Sequence, residues 1–396
     1  MTTARLRARE FACDVLAAAH AETTKGRNSP QEVFAATEPY YAELVREGYL
    51  RAFIPAAHGG DGDSVREQLA IVEEFAAVEP GVTLTLLATT LGLAPLLTAG
   101  TAEQKAAHLP PFLTRTGTPL ASFAFSEPGG SADFDAPAPA EGTRTTATRD
   151  GADWVITGAK QWISNAMGWG GDGPTLLTVT AMAGPGDPDT SLAVFALPGR
   201  LRGLTCTPMA RTAGLATHPL PRVDFADVRV PAEGLLGRVG DGVATVRAAF
   251  GSGAGVGALA VGVARAAFEF ALRFAAGRRS GGRPPLLEHP VVATALVDAR
   301  TRLAAAGALV HRAAAATDAG EDAAFELGLQ AKVFASETAV DVVPRLMRVV
   351  GVESWSEDTP LARHLRDALA FPLISGSNDG VRRRQLVTLL TAPELG

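Results

Sequence analysis

FAFSEPGGSAD over Phe123–Asp133, followed by GAKQWISNA over Gly158–Ala166, is the stretch whose reading decides the fold. The first segment ends an apolar run and opens into a glycine-rich turn, where small residues let backbone N–H groups come close to an anion or a flat ring. The second places Trp162 two residues before the hydroxyl of Ser164. An indole stacks on a planar ring while a nearby hydroxyl hydrogen-bonds the ring edge. Taken singly, the first is also an ordinary loop and the second an ordinary strand-end tryptophan of a core.

Around these segments the texture is that of strands. Apolar runs bounded by Gly, Pro and Asp cover Leu120–Ser126, Ala152–Ser164, Thr175–Met182, Ser191–Pro198 and Arg222–Pro231. They predict antiparallel pairing, with a hairpin at Asp150-Gly151. Segments 136–141 and 183–189 read as loop tips. On the N-terminal side, apolar positions recur at helical spacing through Val33–Gly48 and Val65–Val78, separated by the glycine-broken loop Phe53–Gly62. The run Thr83–Leu97 stops near Gly100, and Thr101 reads as the N-cap of a fresh helix. Helical texture returns from Gly240. The fold class is therefore mainly α with a central β domain: helices over 1–118, an antiparallel β-barrel or sandwich over 119–236, and a helical bundle over 237–396. Ala248–Ala264 carries no charge, but it is rich in Gly and Ala. Its pattern runs on through Arg265, Glu269 and Arg273, which predicts a closely packed buried helix rather than a membrane span.

A net charge of -6 argues against nucleic acid, which needs a basic face. Cys13 and Cys206 form no CxxC pair, which suits a reducing, cytoplasmic setting and neither a disulfide scaffold nor a zinc site. The seven histidines lack metal-ligand spacing. The N-terminal MTTARLRARE has no apolar signal-peptide core. The glycine ladder from Gly251 to Gly257 lies outside any strand–loop–helix unit, so it is no dinucleotide fingerprint.

In order and spacing, the two opening segments resemble the TEPGAGSD-like and WITNG-like elements of the acyl-CoA dehydrogenase family. FADVRVP (Phe225–Pro231), RRSGG (Arg278–Gly282), RDALAFPLISGS (Arg366–Ser377) and FIPAAHGG (Phe53–Gly60) resemble further elements, so the likeness covers nearly the whole chain. It implies a C-terminal four-helix bundle and FAD bound between that bundle and the β domain, in a homodimer or homotetramer. By resemblance, Phe123, Phe125, Ser126, Ser131, Trp162 and Ser164 contact the cofactor on the β-domain side. Arg278 and Ser280 reach the FAD of a neighbouring subunit, as do Arg348 and Gly351 of the QxxGG-like turn. Ser377 stands for a threonine that hydrogen-bonds the cofactor. His289 and Glu288 lie near the adenine end.

The family removes an α-proton with a carboxylate while hydride leaves the β-carbon, and a proton-abstracting base must reach its proton. The resemblance puts that base at Ser375, or in other members near Ser252; both are serines here, and a neutral serine is a poor base. Asp379 is a weak substitute. Arg382-Arg383-Arg384 reads as a solvated helix face. The implied function is an FAD-dependent dehydrogenase-like oxidoreductase acting on an acyl thioester, carried by CoA or an acyl carrier protein, with non-standard proton abstraction. Electron-transfer flavoprotein or oxygen would be the acceptor. The alternatives are a non-catalytic partner subunit in a hetero-oligomer and a flavin monooxygenase of the same fold.

Overall fold

The computed structural model describes residues 2–137, 142–208, 211–279 and 283–391. The N-terminal helices are α1 (Thr3–Asp14), α2 (Ala19–Thr24), α3 (Pro30–Ala35), α4 (Glu38–Arg46), α5 (Val65–Ala76), α6 (Pro80–Ala99) and α7 (Ala102–His108). Helix α6 opens with Pro80 in its first turn, where the missing N–H costs nothing, and the Glu79 side chain caps Gly81. It stops at Gly100. Thr101 then caps α7 in a reciprocal capping box with Gln104, as the sequence predicts.

The central strands are β1 (Ala121–Ala124), β2 (Thr146–Asp150), β3 (Asp153–Lys160), β4 (Leu176–Met182), β5 (Leu192–Leu197), β6 (Leu204–Thr207), β7 (Arg222–Val230) and β8 (Leu235–Leu236), with the short helix α8 (Pro188–Ser191) before β5. Their order is β6-β7-β3-β2-β4-β5-β8, with β1 added on β4. The Asp150-Gly151 hairpin forms as expected, and Gly151 supplies the positive φ the turn requires. The expected all-antiparallel pairing is incorrect. β1 runs parallel to β4, and β2 touches β4 in parallel at one position, so the sheet is mixed. A parallel partner needs a long return, and residues 125–175 provide one by way of the β2–β3 hairpin. Strand β5 is buried along its whole length because alternate side chains enter different cores. Leu192, Val194 and Ala196 pack with the N-terminal helices, whereas Ala193, Phe195 and Leu197 pack inside the β domain.

The remaining helices are α9 (Gly242–Phe250), α10 (Ala254–Gly277), α11 (Pro290–Ala319), α12 (Ala324–Val350), α13 (Leu361–Ala368) and α14 (Arg383–Leu390). α10, α11, α12 and α5 enclose one apolar cluster rich in alanine and valine. α6 and the α9–α10 segment are long and apolar enough to cross a membrane by composition alone, but more than half of the apolar window in each lies buried in these cores. The uninterrupted helix expected through Ala248–Ala264 is broken. Gly251 and Gly253 take positive φ, and the chain turns between α9 and α10.

Small residues on α10 set how closely it packs. A Cβ on Gly262 would stand 2.4 Å from the Glu73 carbonyl oxygen of α5, whereas one on Gly307 of α11 would meet only Val261 at 3.8 Å. Gly262→Ala is therefore expected to destabilise the protein by about 1–3 kcal/mol through overpacking. Gly307→Ala is expected to stabilise it by about 0.5–1 kcal/mol through helix propensity. Urea unfolding of the two variants measures both signs.

Candidate functional site

Strand β1 delivers the first segment to the edge of the β domain, where a buried ion pair fixes the turn that follows. Glu127 accepts from Lys160 Nζ at 2.7 Å and from the N–H groups of Arg144 and Thr145. Burial alone would raise the Glu127 carboxyl, but the ammonium and the two N–H donors outweigh it and hold it below the usual range. Burial brings Lys160 down to about 8. Ser131 Oγ accepts from Glu127 N at 2.9 Å, so this predicted cofactor contact also pins its own loop. Ser126 O accepts from Gln161 N at 2.8 Å, which ties the end of β1 to the Trp162 segment.

Trp162 sits at a φ of 65° and is 51% exposed, so it is not a core residue. A bulky side chain held at positive φ is strained, and strain of this kind collects at functional sites. Asn165, also at positive φ, anchors the turn by donating to the carbonyls of Thr85 and Ala121 and to Thr89 Oγ1. Ser164 Oγ meets His218 Nε2 at 2.9 Å, and His218 Nδ1 meets Thr85 Oγ1 at 2.9 Å. Sequence reasoning missed His218, because nothing near it in the chain marks it. An exposed indole beside an oriented hydroxyl fits one face and edge of a flat cofactor ring.

Phe123 and Phe125 form an aromatic group with Phe134 and Phe250, the last residue of α9. Phe250 leads directly to Gly251, whose carbonyl accepts from Arg382 Nη1 at 2.8 Å. Arg382 Nε and Nη2 both donate to Ser375 O, at 3.1 and 2.8 Å. The structure thus brings both predicted base positions to one place. Ser375 lies on Arg382, and Ser252, in the break between α9 and α10, packs its hydroxymethyl against Gly328. Neither is a carboxylate. Asp379 points to solvent and pairs with Arg383, so it cannot replace them. The reading of Arg382-Arg383-Arg384 as one solvated face is incorrect for its first member. Arg383 and Arg384 are exposed and paired with Glu337 and Asp133, but Arg382 is 2% exposed. The π-helical turn Asn378–Arg382 that precedes α14 rotates Arg382 inward.

Of the other predicted contacts, Ser377 sits in this same turn, whereas Arg278, Arg348 and Gly351 are exposed positions elsewhere. Arg278 pairs with Glu353 at 3.0 Å, and Arg348 lines a surface groove with Pro344 and Pro372. Gly351 ends α12 at a φ of 82°. Ser377 Oγ caps Gly380 N at 3.2 Å. Ser280 falls outside the described residues. His218 is buried, and burial lowers it to about 3. It stays neutral when folded but protonates below pH 6.5 when unfolded, so stability falls as pH drops from about 6.5 toward 3. The slope is about 1.4 kcal/mol per pH unit for each such histidine. His218→Gln is expected to make the stability profile between pH 6.5 and 4 shallower by about that slope, as read from urea unfolding at successive pH values.

Known proteins place this arrangement. Sequence models of the acyl-CoA dehydrogenase N-terminal, middle and C-terminal domains match residues 2–116, 122–228 and 240–388. The chain is 39% identical to nitroalkane oxidase of Podospora anserina, over 92% of this chain and 88% of that protein. It is 31% identical to the short-chain specific acyl-CoA dehydrogenase of Megasphaera elsdenii, over 85% of this chain and 86% of that one. A solved structure of the flavoprotein nitroalkane oxidase, from work on the roles of one arginine and one aspartate in its reaction, superposes with a TM-score of 0.94. It is 34% identical and covers 99% of this chain and 96% of the other. The chain belongs to the acyl-CoA dehydrogenase family of FAD-dependent oxidoreductases.

Proposed function

We propose that this protein is a flavin-dependent oxidoreductase of small carbon acids of the nitroalkane type rather than of acyl thioesters. One observation carries the reading. Ser375 and Arg382 are in contact, and they are separated in sequence by the same interval as the aspartate and arginine studied in nitroalkane oxidase. On that matching, Arg382 stands for the arginine and is buried, and Ser375 stands where the aspartate would be. With no protein carboxylate at this point, a substrate whose C–H ionises readily is favoured, and a nitroalkane C–H does so far more readily than that of an acyl thioester. The higher identity to nitroalkane oxidase than to the acyl-CoA dehydrogenase supports the same choice.

When bound, FAD supplies the acceptor for two electrons. The chain's own residues do the rest. Trp162 offers a stacking face, Ser164 presents a hydroxyl whose direction His218 fixes, and the Phe123–Phe125–Phe134–Phe250 group walls an apolar approach. Arg382 holds the 375–376 turn against the α9–α10 break. Oxygen, or an electron-transfer flavoprotein, would then take up the electrons. Val352 and Trp355 stand 88% and 77% exposed on either side of Glu353, the partner of Arg278, and we assign this apolar edge to a second copy of the chain in a homo-oligomer.

Purified protein is expected to hold about one FAD per chain, and its visible flavin band is expected to bleach with the anion of nitroethane but not with butyryl-CoA. A protein that refuses FAD would move the chain to the partner-subunit reading, and faster bleaching by butyryl-CoA would restore the thioester. Ser375→Asp is expected to accelerate reduction by neutral nitroethane by about 10²–10⁴-fold, the usual worth of a positioned general base, in stopped-flow measurements. Trp355→Glu is expected to lower the molar mass seen by light scattering to that of a monomer; an unchanged mass would remove this face from the interface.

A further inference from the structure

The interior around Arg382 holds more positive than negative charge. Four of the five guanidinium N–H groups are used, and every partner is a neutral oxygen: Ser375 O twice, Gly251 O, and Gln385 Oε1 at 3.0 Å. Lys332, fully buried beside it, donates to Gly376 O at 2.9 Å and Asn378 Oδ1 at 2.6 Å, again neutral acceptors. Glu337 lies nearby, but its carboxylate is taken by Arg383 and by Asn378 Nδ2 at 3.2 Å. Among the described residues no carboxylate is within ion-pair distance of either cation. Burial lowers Arg382 to about 10; burial and then Arg382 itself lower Lys332 to about 7.

Gly251, whose carbonyl Arg382 holds, has open space around its α-carbon. Ser375 Oγ has no hydrogen-bond partner among the described residues, and Ser375 sits at a φ of 52°, a conformation that aspartate tolerates better than most residues. A Cβ on Gly251 would meet nothing nearer than 4.0 Å. Phe250, packed on Phe125 with Phe134 beyond it, directly precedes Gly251 in the chain. The one Arg382 N–H left over and the Ser375 hydroxyl can each donate to one oxygen of a planar group whose two oxygens share a single negative charge.

We propose that the edge formed by Ser375, Gly251 and Arg382 seats a planar two-oxygen monoanion belonging to the substrate, which takes the place of the absent protein carboxylate. The assignment to substrate rests on the flavin-enzyme reading above. Two sources share this chemistry. A nitronate is the carbon acid already deprotonated at the reacting carbon, and a carboxylate is a substituent carried elsewhere on the molecule. In both, the negative charge arrives with the substrate and the apolar remainder lies toward the phenylalanines.

The test measures binding rather than turnover. Propionate and the anion of nitroethane are titrated by calorimetry against the protein as purified, with any bound flavin reduced beforehand so that no oxidation intervenes. Propionamide and neutral nitroethane serve as uncharged counterparts. At least one anion is expected to bind saturably and at least tenfold more tightly than its neutral counterpart. The tighter anion names the source: propionate a carboxylate substituent, the nitroethane anion a nitronate. Ser375→Asp, which fills the seat with a carboxylate on a backbone suited to it, is expected to weaken that binding at least tenfold. Arg382→Lys should weaken it while leaving the fold intact, as judged by circular dichroism. Neutral compounds binding as tightly as the anions, or anion binding unchanged in Ser375→Asp, would overturn the proposal. FAD content is read separately from the same samples, so loss of flavin binding and loss of anion binding are told apart.

Discussion

The carboxylate of Asp367 accepts the Leu215 N–H at 2.6 Å, and the β-domain edge that carries Ser164 depends on that bond. Asp367 belongs to α13 of the bundle, and Leu215 to a β-domain loop held at a φ of 53°, an unfavourable conformation for a bulky residue. The loop cannot retreat, because Gly214 lies so close to the Arg366 carbonyl that a Cβ would stand 2.3 Å from it. Leu215 O in turn accepts from His218 N, and the His218 ring spans Thr85 of α6 and Ser164. One hydrogen-bonded path therefore crosses all three parts of the molecule and ends on the Ser164 hydroxyl. Burial raises the Asp367 carboxyl, and the Leu215 N–H together with Arg363 and Arg366 works against that rise.

A second set of buried acids docks the bundle on the N-terminal helices. Glu73 accepts from Arg5 and His311, and Glu74 from Arg5 and Arg265, so α1, α5, α10 and α11 meet at one charged knot. Burial by itself would raise Glu73, but His311, Arg5 and Arg265 bring it below its ordinary range. Glu79 is similarly placed between Thr217 and Arg363. Stripping Glu73 or Glu74 of all its cationic partners would leave an uncompensated buried charge, which costs about 3–5 kcal/mol. The knot therefore fixes how the domains sit as much as it stabilises them.

Much of this was legible in the chain because the local signals were strong. Thr101 with Gln104, the Asp150-Gly151 turn and the helical periodicity of Val65–Val78 each carry their own geometry, and the joint spacing of the FAFSEPGGSAD and WISN segments carried the family. Three features were hidden for physical reasons. The parallel β1–β4 pair depends on which strands a long excursion brings together, not on any residue within β1. The break at Gly251–Gly253 looks like helix because glycine and alanine pack there at helical spacing until two positive φ values turn the chain. Arg382 looks like its neighbours Arg383 and Arg384, and only the wider π turn directs it inward. His218 left no trace because its partners, Thr85 and Ser164, come from distant segments.

The contrast between Arg382 and the other buried charges bears most directly on chemistry. Glu127 has Lys160, Glu73 and Glu74 have arginines, and Glu79 has Arg363. An interior cation without an acid is held at a cost of several kcal/mol even after relaxation. Its hydrogen bonds to carbonyls satisfy the N–H groups without neutralising the charge. A carboxylate at position 375 would both neutralise that charge and act as a base. Serine does neither, so the positive field around the 375–382 turn remains available to whatever enters. A field fixed in place before the reaction acts on charge in the bound molecule without reorganising. With serine at 375 the turn is organised around a positive field, and under the anion-seat proposal the substrate brings the negative charge.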